Sequence, residues 1–118
     1  MNYYQKAKNL FKMIEEGKLL EALDQFYHEN VIITADDGTE RIGKSQAKDY
    51  DEKLLREIED VLGGGVHTIA TNEERKITMV EFWTELKFKN GNRKKIEEVA
   101  IQEWEDDLII RENFYSKK

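Results

Sequence analysis

The C-terminal half of the chain alternates between apolar and polar residues, a pattern typical of β-strands. Three such stretches follow one another and are separated by short turns: residues 77–88, 94–104 and 108–115. Asn90-Gly91 separates the first two, and this dipeptide between β-rich stretches is a strong hairpin signal. The first two strands are about twice the usual length of ~5–6 residues, so we expect the sheet to twist and curve.

Helical periodicity dominates the N-terminal half. Apolar residues recur at intervals of three and four within residues 3–16, 19–27 and 44–62, which predicts three helices. Gly63-Gly64-Gly65 is expected to end the third helix, because glycine is costly inside a helix. Short strands are predicted at residues 31–34, 39–42 and 66–70. Early helices and a late strand meander indicate an α+β fold, with helices on one face of an antiparallel sheet.

Composition narrows the class of protein. With 118 residues, the chain is expected to form one domain over residues 1–118. Its 25 acidic and 19 basic residues give a net charge of −6, which disfavours a nucleic-acid partner. It has no cysteine, and His28 and His67 lack metal-ligand spacing, so neither a metal nor a cofactor is predicted. No apolar run is long enough to cross a membrane and no signal peptide is evident, so we expect a cytoplasmic protein.

Short motifs along the chain point to a known fold family. They are Glu16-Gly17-Lys18, residues 26–31, residues 43–47, Glu97-Glu98-Val99 and residues 109–115. These motifs resemble the SnoaL-like branch of the nuclear transport factor 2-like superfamily, and the resemblance covers nearly the whole chain. It implies a cone-shaped fold in which three N-terminal helices pack on a strongly curved antiparallel sheet. It does not select a reaction, because the superfamily includes isomerases, cyclases, dehydratases and proteins that only bind or dimerise.

The ketosteroid isomerase relatives allow a residue-by-residue comparison. The resemblance places their helix-one tyrosine near Leu10, their general-base aspartate near residues 34–35 and their oxyanion-hole aspartate near Ala100. The side chains at these positions can neither remove a proton nor stabilise an oxyanion. Asp36 or Asp37 would supply a carboxylate only if the loop shifted by one or two residues.

Strand alternation divides the meander into two faces, but it does not determine which face meets the helices. With an even-length hairpin loop, one face is mixed polar and aromatic and carries Ile77, Met79, Glu81, Trp83, Glu85, Ile96, Glu98, Ala100, Gln102, Trp104, Ile109, Arg111, Asn113 and Tyr115. The other face is more apolar in its middle and carries Thr78, Val80, Phe82, Thr84, Leu86, Phe88, Val99, Ile101, Glu103, Ile110, Glu112 and Phe114. The simplest assumption turns the more apolar face inward, whereas the resemblance implies that the mixed face lines the cone.

Following the resemblance leaves an apolar patch on the open side of the sheet. Its members are Val80, Phe82, Leu86, Val99, Ile101 and Phe114. A contiguous patch of this kind is unfavourable in water. We therefore predict a homodimer that forms through this outer sheet face, which similar proteins commonly form.

The mixed face supplies the predicted ligand-binding residues. They are Glu81, Trp83, Glu98, Gln102, Trp104, Arg111, Asn113 and Tyr115, together with His67 and Tyr50. A buried carboxylate must be paired or neutral, so Arg111 is the expected partner of Glu98 or Glu81. The alternative is that these charges form a structural salt-bridge network and that the aromatic residues are ordinary core.

We therefore predict a SnoaL-like domain whose cone pocket binds a small, partly apolar molecule, with no reaction assigned. One alternative is an isomerase, cyclase or dehydratase that uses Glu98 or Glu81 as base and His67, Tyr50 or Tyr115 as acid. Another is a structural dimerisation module in which the tryptophans fill the pocket. No catalytic residue is assigned, and no membrane partner is expected.

Overall fold

The chain folds into three helices and one six-stranded sheet, described for residues 1–117 by a computed structural model. In chain order the elements are α1 (Tyr3–Glu15), α2 (Leu19–Phe26), β1 (Tyr27–Thr34), β2 (Glu40–Ile42), α3 (Lys44–Glu57), β3 (Ile58–Asn72), β4 (Ile77–Phe88), β5 (Arg93–Glu105) and β6 (Leu108–Ser116). The strand order is β2-β1-β6-β5-β4-β3. Only β1 and β6 pair in parallel within the described residues. The predicted α+β class is confirmed. None of the helices in residues 1–117 is long and apolar enough to cross a membrane.

Local sequence signals begin and end α1. The Asn2 side chain accepts a hydrogen bond from the backbone N–H of Gln5 at 2.9 Å, as an N-cap residue does. At the other end, Gly17 adopts a φ of +82°. This left-handed residue lets the backbone N–H of Lys18 donate to the carbonyl of Met13 at 2.9 Å. The chain then turns directly into α2.

The hydrophobic core lies between the helices and one face of the sheet, which we call the inner face. The helices contribute Ala7, Leu10, Phe11, Ala22, Leu23, Phe26 and Ala47. The sheet contributes Tyr27, Val31, Ile33, Val80, Ala100, Trp104 and Ile109. Because these residues pack on the helices, the opposite side of the sheet is the outer face.

The third helix ends at Glu57, not at Leu62 as predicted, and the glycine run lies inside β3. A Cβ atom on Gly63 would lie 3.0 Å from Cη2 of Trp83, and one on Gly65 would lie 3.3 Å from Nε1 of the same indole. The indole of Trp83 therefore lies across these two glycines on the outer face. The prediction was wrong because the glycines make room for a distant side chain in a strand. Three register shifts in β3 accompany this packing, and such bulges bend a strand.

The β4–β5 hairpin has a three-residue loop, residues 89–91, instead of the predicted even-length loop. The backbone N–H of Phe88 donates to the carbonyl of Asn92 at 2.8 Å. Gly91 has a φ of +91°, whereas Asn90 does not have a positive φ. A type I turn followed by a left-handed glycine has this arrangement. The odd loop length shifts the register by one residue relative to the prediction, and such a shift moves side chains to the other face.

The observed register corrects the predicted faces. Even-numbered residues of β4 and β5 share the inner face: Thr78, Val80, Phe82, Glu98, Ala100, Gln102 and Trp104. Odd-numbered residues share the outer face: Ile77, Met79, Glu81, Trp83, Glu97, Val99 and Ile101. The expected inner-face position is therefore correct for Glu98, Ala100, Gln102 and Trp104, and wrong for Glu81 and Trp83.

The predicted dimer patch is wrong in its composition for the same reason. Val80 and Leu86 are buried, and Phe82 and Phe114 pack against the core, so these four residues do not lie on the outer face. Val99 and Ile101 do lie there. The outer face therefore has a different set of apolar side chains from the predicted one.

Candidate functional site

Four hydrogen bonds connect five buried side chains beneath the helices. The indole N–H of Trp104 donates to Oγ1 of Thr78 at 2.9 Å, and the Thr78 hydroxyl donates to Oε1 of Gln102 at 2.6 Å. Nε2 of Gln102 donates to Oε2 of Glu112 at 2.7 Å. The Tyr27 hydroxyl donates to Oε1 of Glu112, also at 2.7 Å. We call these five residues the buried network, and within residues 1–117 no buried side-chain nitrogen or oxygen lacks a partner.

The sheet register aligns the buried network. Thr78 is opposite Gln102 in the β4–β5 pair, and Gln102 is opposite Glu112 in the β5–β6 pair. Directly opposed residues on one face have neighbouring side chains, so these three form a row across the inner face. Trp104 lies two residues beyond Gln102, at a register shift between Glu103 and Trp104. A polar row thus crosses an otherwise apolar core.

Glu112 is the charged member of the buried network and is 2% exposed. Burial raises the pKa of its carboxyl group from the ordinary value of 4.5 to about 7, because the charged form is poorly solvated there. The hydrogen bonds from Gln102 and Tyr27 and the charge of Arg41 oppose this shift, and the charge of Asp51 adds to it. Burial and the nearby Glu112 also raise the pKa of Tyr27 well above its usual range. Glu112 therefore exchanges its proton near neutral pH.

A second carboxylate group lies where β6 ends. The hydroxyl oxygen of Ser116 is 2.6 Å from Oδ2 of Asp36 and 3.0 Å from Oε2 of Glu98. A hydroxyl group has one hydrogen, so it can donate to only one of these carboxylates at a time. Burial raises the pKa of Glu98, its contact with Ser116 lowers it, and the charge of Asp36 raises it further. We call Asp36, Glu98 and Ser116 the rim cluster; the positive charges of Lys94 and Arg41 also act on Glu98 and lower its pKa.

The charge of Arg41 acts on both groups of side chains, and the charge of Asp51 acts on the buried network. The guanidinium carbon of Arg41 is 3.5 Å from the centre of the Tyr50 ring, a cation–π contact. Burial raises the pKa of Asp51 to about 6, and the charge of Arg41 opposes this shift. Arg41 also lowers the pKa values of Glu98 and Glu112. This end of the inner face therefore has more acidic groups than the cations that act on them.

Comparison with known proteins identifies the fold. No protein-family model matches the chain, and no curated protein matches it either. A candidate SnoaL-like polyketide cyclase from Mesorhizobium loti aligns with a TM-score of 0.84 and 18% identity, over 98% of this chain and 99% of that one. A nuclear transport factor 2-like protein from Burkholderia pseudomallei aligns with a TM-score of 0.82 and 11% identity, over 99% of this chain and 92% of that one. This chain has the nuclear transport factor 2-like fold. A protein from Catenulispora acidiphila with a ketosteroid isomerase-like fold was solved in complex with trimethylamine. It aligns with a TM-score of 0.74 and 12% identity, over 91% of this chain and 82% of that one.

Within this nuclear transport factor 2-like fold, three of the predicted site residues occupy the inner face. Gln102 and Trp104 belong to the buried network, and Glu98 belongs to the rim cluster. Trp104 contacts Tyr3 and Phe26 with its ring and fills part of the interior. The structure thus brings these three predicted residues to the same side of the sheet, although not into one open pocket.

The other predicted residues lie elsewhere. Glu81, Trp83, Arg111, Asn113 and Tyr115 are on the outer face, because of the observed register. Arg111 pairs with Glu103 at 3.2 Å and not with Glu98 or Glu81 as expected. Tyr50 is half-exposed on α3 beneath Arg41.

Two open grooves lie outside the buried network. One, of about 710 Å³, lies between α1 and β3 and is lined partly by Lys8, Lys12 and His67. The other, of about 330 Å³, lies beside His28 and the β5–β6 turn. His67 is exposed on β3 and lines the first groove, whereas it was predicted at the mouth of the cone pocket. No group of three His, Asp or Glu side chains in residues 1–117 is arranged to hold a metal ion.

Sequence reasoning missed the carboxyl group with the largest change in environment. The even-length loop assigned Thr78 to the face opposite Gln102, and the unbroken alternation assumed for β5 and β6 did the same for Glu112, so these contacts were not foreseen. A three-residue loop at Gly91 places Thr78 on the face of Gln102, and Glu112 joins them only because of the register shift between Glu103 and Trp104. Tyr27 was expected at the end of a helix, whereas it begins β1. Ser116 carries no sequence signal that links it to Asp36, which is 80 positions away.

Proposed function

We propose that this chain is a small-molecule-binding domain whose rim cluster holds a cationic, partly apolar ligand, such as a small amine, with no reaction assigned. The supporting observation is that Asp36 and Glu98 both contact the single hydroxyl of Ser116. A protonated amine would pair the remaining carboxylate through charge-assisted hydrogen bonds, which are roughly twice as strong as neutral ones. The cytoplasmic location expected from the sequence is part of this proposal.

Apolar groups beside the rim cluster support a ligand with carbon substituents. Phe82 is directly opposite Glu98 in the β4–β5 pair, and its ring makes an edge contact with Phe114 at 6.3 Å. An alkylated ammonium ion can contact aromatic rings favourably as well as pair with a carboxylate. The trimethylamine complex of the Catenulispora acidiphila protein with this fold supports the same ligand class.

Three probes of similar size and different charge test the proposal. They are trimethylammonium, tert-butanol and trimethylacetate, added separately at pH 8. We expect only trimethylammonium to raise the melting temperature, because a ligand that binds the folded state alone stabilises it. Glu98→Gln should weaken its binding about tenfold, which corresponds to roughly 1.4 kcal/mol.

The matched control is Glu81→Gln, the same chemical change on the exposed outer face. This variant should respond to trimethylammonium as the unaltered protein does. Equal responses to the three probes would contradict the proposal. So would a Glu98→Gln variant that keeps the full response.

An isomerase, cyclase or dehydratase is a second candidate, and one observation favours it. The pKa of Glu112 is about 7, the range in which a general acid–base group works best at neutral pH. The base in such an enzyme would then be Glu112, with Tyr27 as its hydrogen-bonded partner, and not Glu98 or Glu81 as expected. Loss of turnover in Glu112→Gln, with an unchanged rate in Glu98→Gln, would support this candidate over simple binding.

We also propose that the outer face pairs with a second copy of this chain. Its apolar side chains are Ile77, Met79, Trp83, Val99 and Ile101, with Tyr115 57% exposed beside them. They replace the patch expected from the sequence. Such a contiguous patch favours self-association, and a two-fold dimer would place the same patch on both subunits.

Introducing a charge at Ile101 tests the dimer. We expect the unaltered chain to sediment as a dimer at micromolar concentration and Ile101→Lys to dissociate at least about tenfold more readily, because burying an unpaired lysine is unfavourable. Leu55→Lys, at an exposed apolar position on α3, is the matched control and should remain dimeric. A monomeric unaltered chain would contradict the dimer, as would equal dissociation of both variants.

A further inference from the structure

Trp104 fixes the directions of three of the four hydrogen bonds in the buried network. An indole N–H can only donate, so Oγ1 of Thr78 must accept from it. The hydrogen of Thr78 is then available for Oε1 of Gln102. This contact orients the amide of Gln102, so that Nε2 faces Glu112 and donates to it. Oε2 of Glu112 is therefore held as an acceptor.

The other oxygen of Glu112 is not restricted in this way. Oε1 faces the hydroxyl of Tyr27, a group that can both donate and accept. When Glu112 is ionised, Tyr27 donates to Oε1; when Oε1 carries the proton, that proton can be donated to the oxygen of Tyr27. Asp51 on α3 and Arg41 on β2 are the other charged groups that act on Glu112.

We propose that Trp104 is a positioning residue that confines the proton of Glu112 to Oε1, which makes Glu112 and Tyr27 the acid–base pair of this interior. Trp104 acts through Thr78 and Gln102, since its indole N–H donates to Thr78 and not to Glu112. This role goes beyond the ligand proposed for the rim cluster, since it concerns a different carboxyl group and requires no ligand. The interior thus has a proton-exchange site at Glu112, and Trp104, three hydrogen bonds away, determines which oxygen carries the proton.

Removing the indole N–H releases the constraint. In Trp104→Phe, Thr78 has no donor to accept from, so its oxygen can accept from Nε2 of Gln102 after the amide turns over. Oε1 of Gln102 then faces Glu112, and this arrangement requires a proton on Oε2. The neutral form of Glu112 then has two arrangements instead of one, with the proton on Oε1 or on Oε2, whereas the ionised form keeps only the original arrangement.

The test is an NMR titration of the side-chain carboxyl carbon of Glu112 in the full chain without ligand. The resonance is assigned by its absence in Glu112→Gln. We expect the midpoint to rise by about 0.3 pH unit in Trp104→Phe, because a proton that can occupy either oxygen is held about twofold more tightly. Trp83→Phe makes the same chemical change on the outer face and should leave the midpoint unchanged.

Thr78→Val provides a second variant of nearly unchanged volume in case Trp104→Phe does not fold. It removes the hydroxyl that orients Gln102, so the midpoint of Glu112 should also rise. An unchanged midpoint in the folded variants would overturn the proposal, as would an equal rise in Trp83→Phe. Because the titration is done without ligand, its outcome is independent of the thermal-shift test of the rim cluster.

Discussion

Replacing Glu112 with glutamine is expected to remove most of the difference in stability between about pH 4.5 and pH 7. The folded chain keeps the proton of Glu112 up to a pKa of about 7, whereas the unfolded chain loses it near the ordinary value of 4.5. The folded state therefore binds more protons across this window, so stability falls as pH rises. The contribution is fully present below pH 4.5 and lost by about pH 7, a change of about 3 kcal/mol.

Glutamine at this position resembles the protonated carboxyl group. Its amide oxygen can accept from Gln102, and its amide nitrogen can donate to the Tyr27 oxygen, so both buried partners remain paired. We therefore expect Glu112→Gln to be more stable than the unaltered chain above pH 7. The same substitution that would abolish acid–base chemistry is thus predicted to stabilise the fold at alkaline pH.

Urea unfolding between pH 4.5 and pH 8 measures this effect. The difference between Glu112→Gln and the unaltered chain should grow with pH and level off above about pH 7. Asp51, with a pKa of about 6, contributes in the same direction and leaves some slope in the variant. Glu81→Gln should follow the unaltered chain throughout. A constant difference between Glu112→Gln and the unaltered chain would mean that Glu112 is not neutralised by burial.

A methyl group on Gly63 is expected to destabilise the chain by about 1–3 kcal/mol, as overpacking of a filled site does. The new Cβ would lie 3.0 Å from Cη2 and 3.3 Å from Cζ3 of Trp83. The backbone at residue 63 is not left-handed, so it does not itself require glycine. The ammonium nitrogen of Lys95 lies over the same ring, 5.4 Å from its centre, and adds a cation–π contact that holds the indole in place. The loss of stability caused by Gly63→Ala should therefore depend on the presence of the Trp83 indole.

A double-mutant cycle isolates that dependence. In a Trp83→Ala background, Gly63→Ala should be neutral or stabilising by up to about 1 kcal/mol, because alanine restricts the unfolded chain more than glycine. Urea unfolding of the four proteins gives the coupling energy directly. An equal cost of Gly63→Ala in both backgrounds would show that the indole does not rest on this glycine.

The sequence predicts the secondary structure of this chain better than its register. The apolar spacing of α1 and the alternation in β4 and β5 identify those elements, because both patterns arise from local geometry. Asn90-Gly91 is compatible with a two-residue or a three-residue loop. The choice between them depends on one backbone conformation at Asn90, and it reverses the face assigned to one strand relative to its neighbour.

Long-range partners explain the remaining errors. A glycine run is a poor helix former, but nothing in its own sequence shows that Trp83 will lie on it. Glu112 is an acidic residue between Arg111 and Asn113 in β6, and acidic residues are rarely buried without partners. Those partners, Gln102 and Tyr27, come from other strands, so the burial of Glu112 follows from the sheet order and not from local sequence.

Chemical-shift mapping of bound trimethylammonium tests most directly whether the rim cluster is a ligand site. The amide and side-chain signals of the labelled chain would be followed during a titration at pH 8. The proposal predicts saturable shifts that are largest at Asp36, Glu98 and Ser116. Shifts that do not saturate, or that are largest around His67 and Lys12 in the groove between α1 and β3, would contradict it.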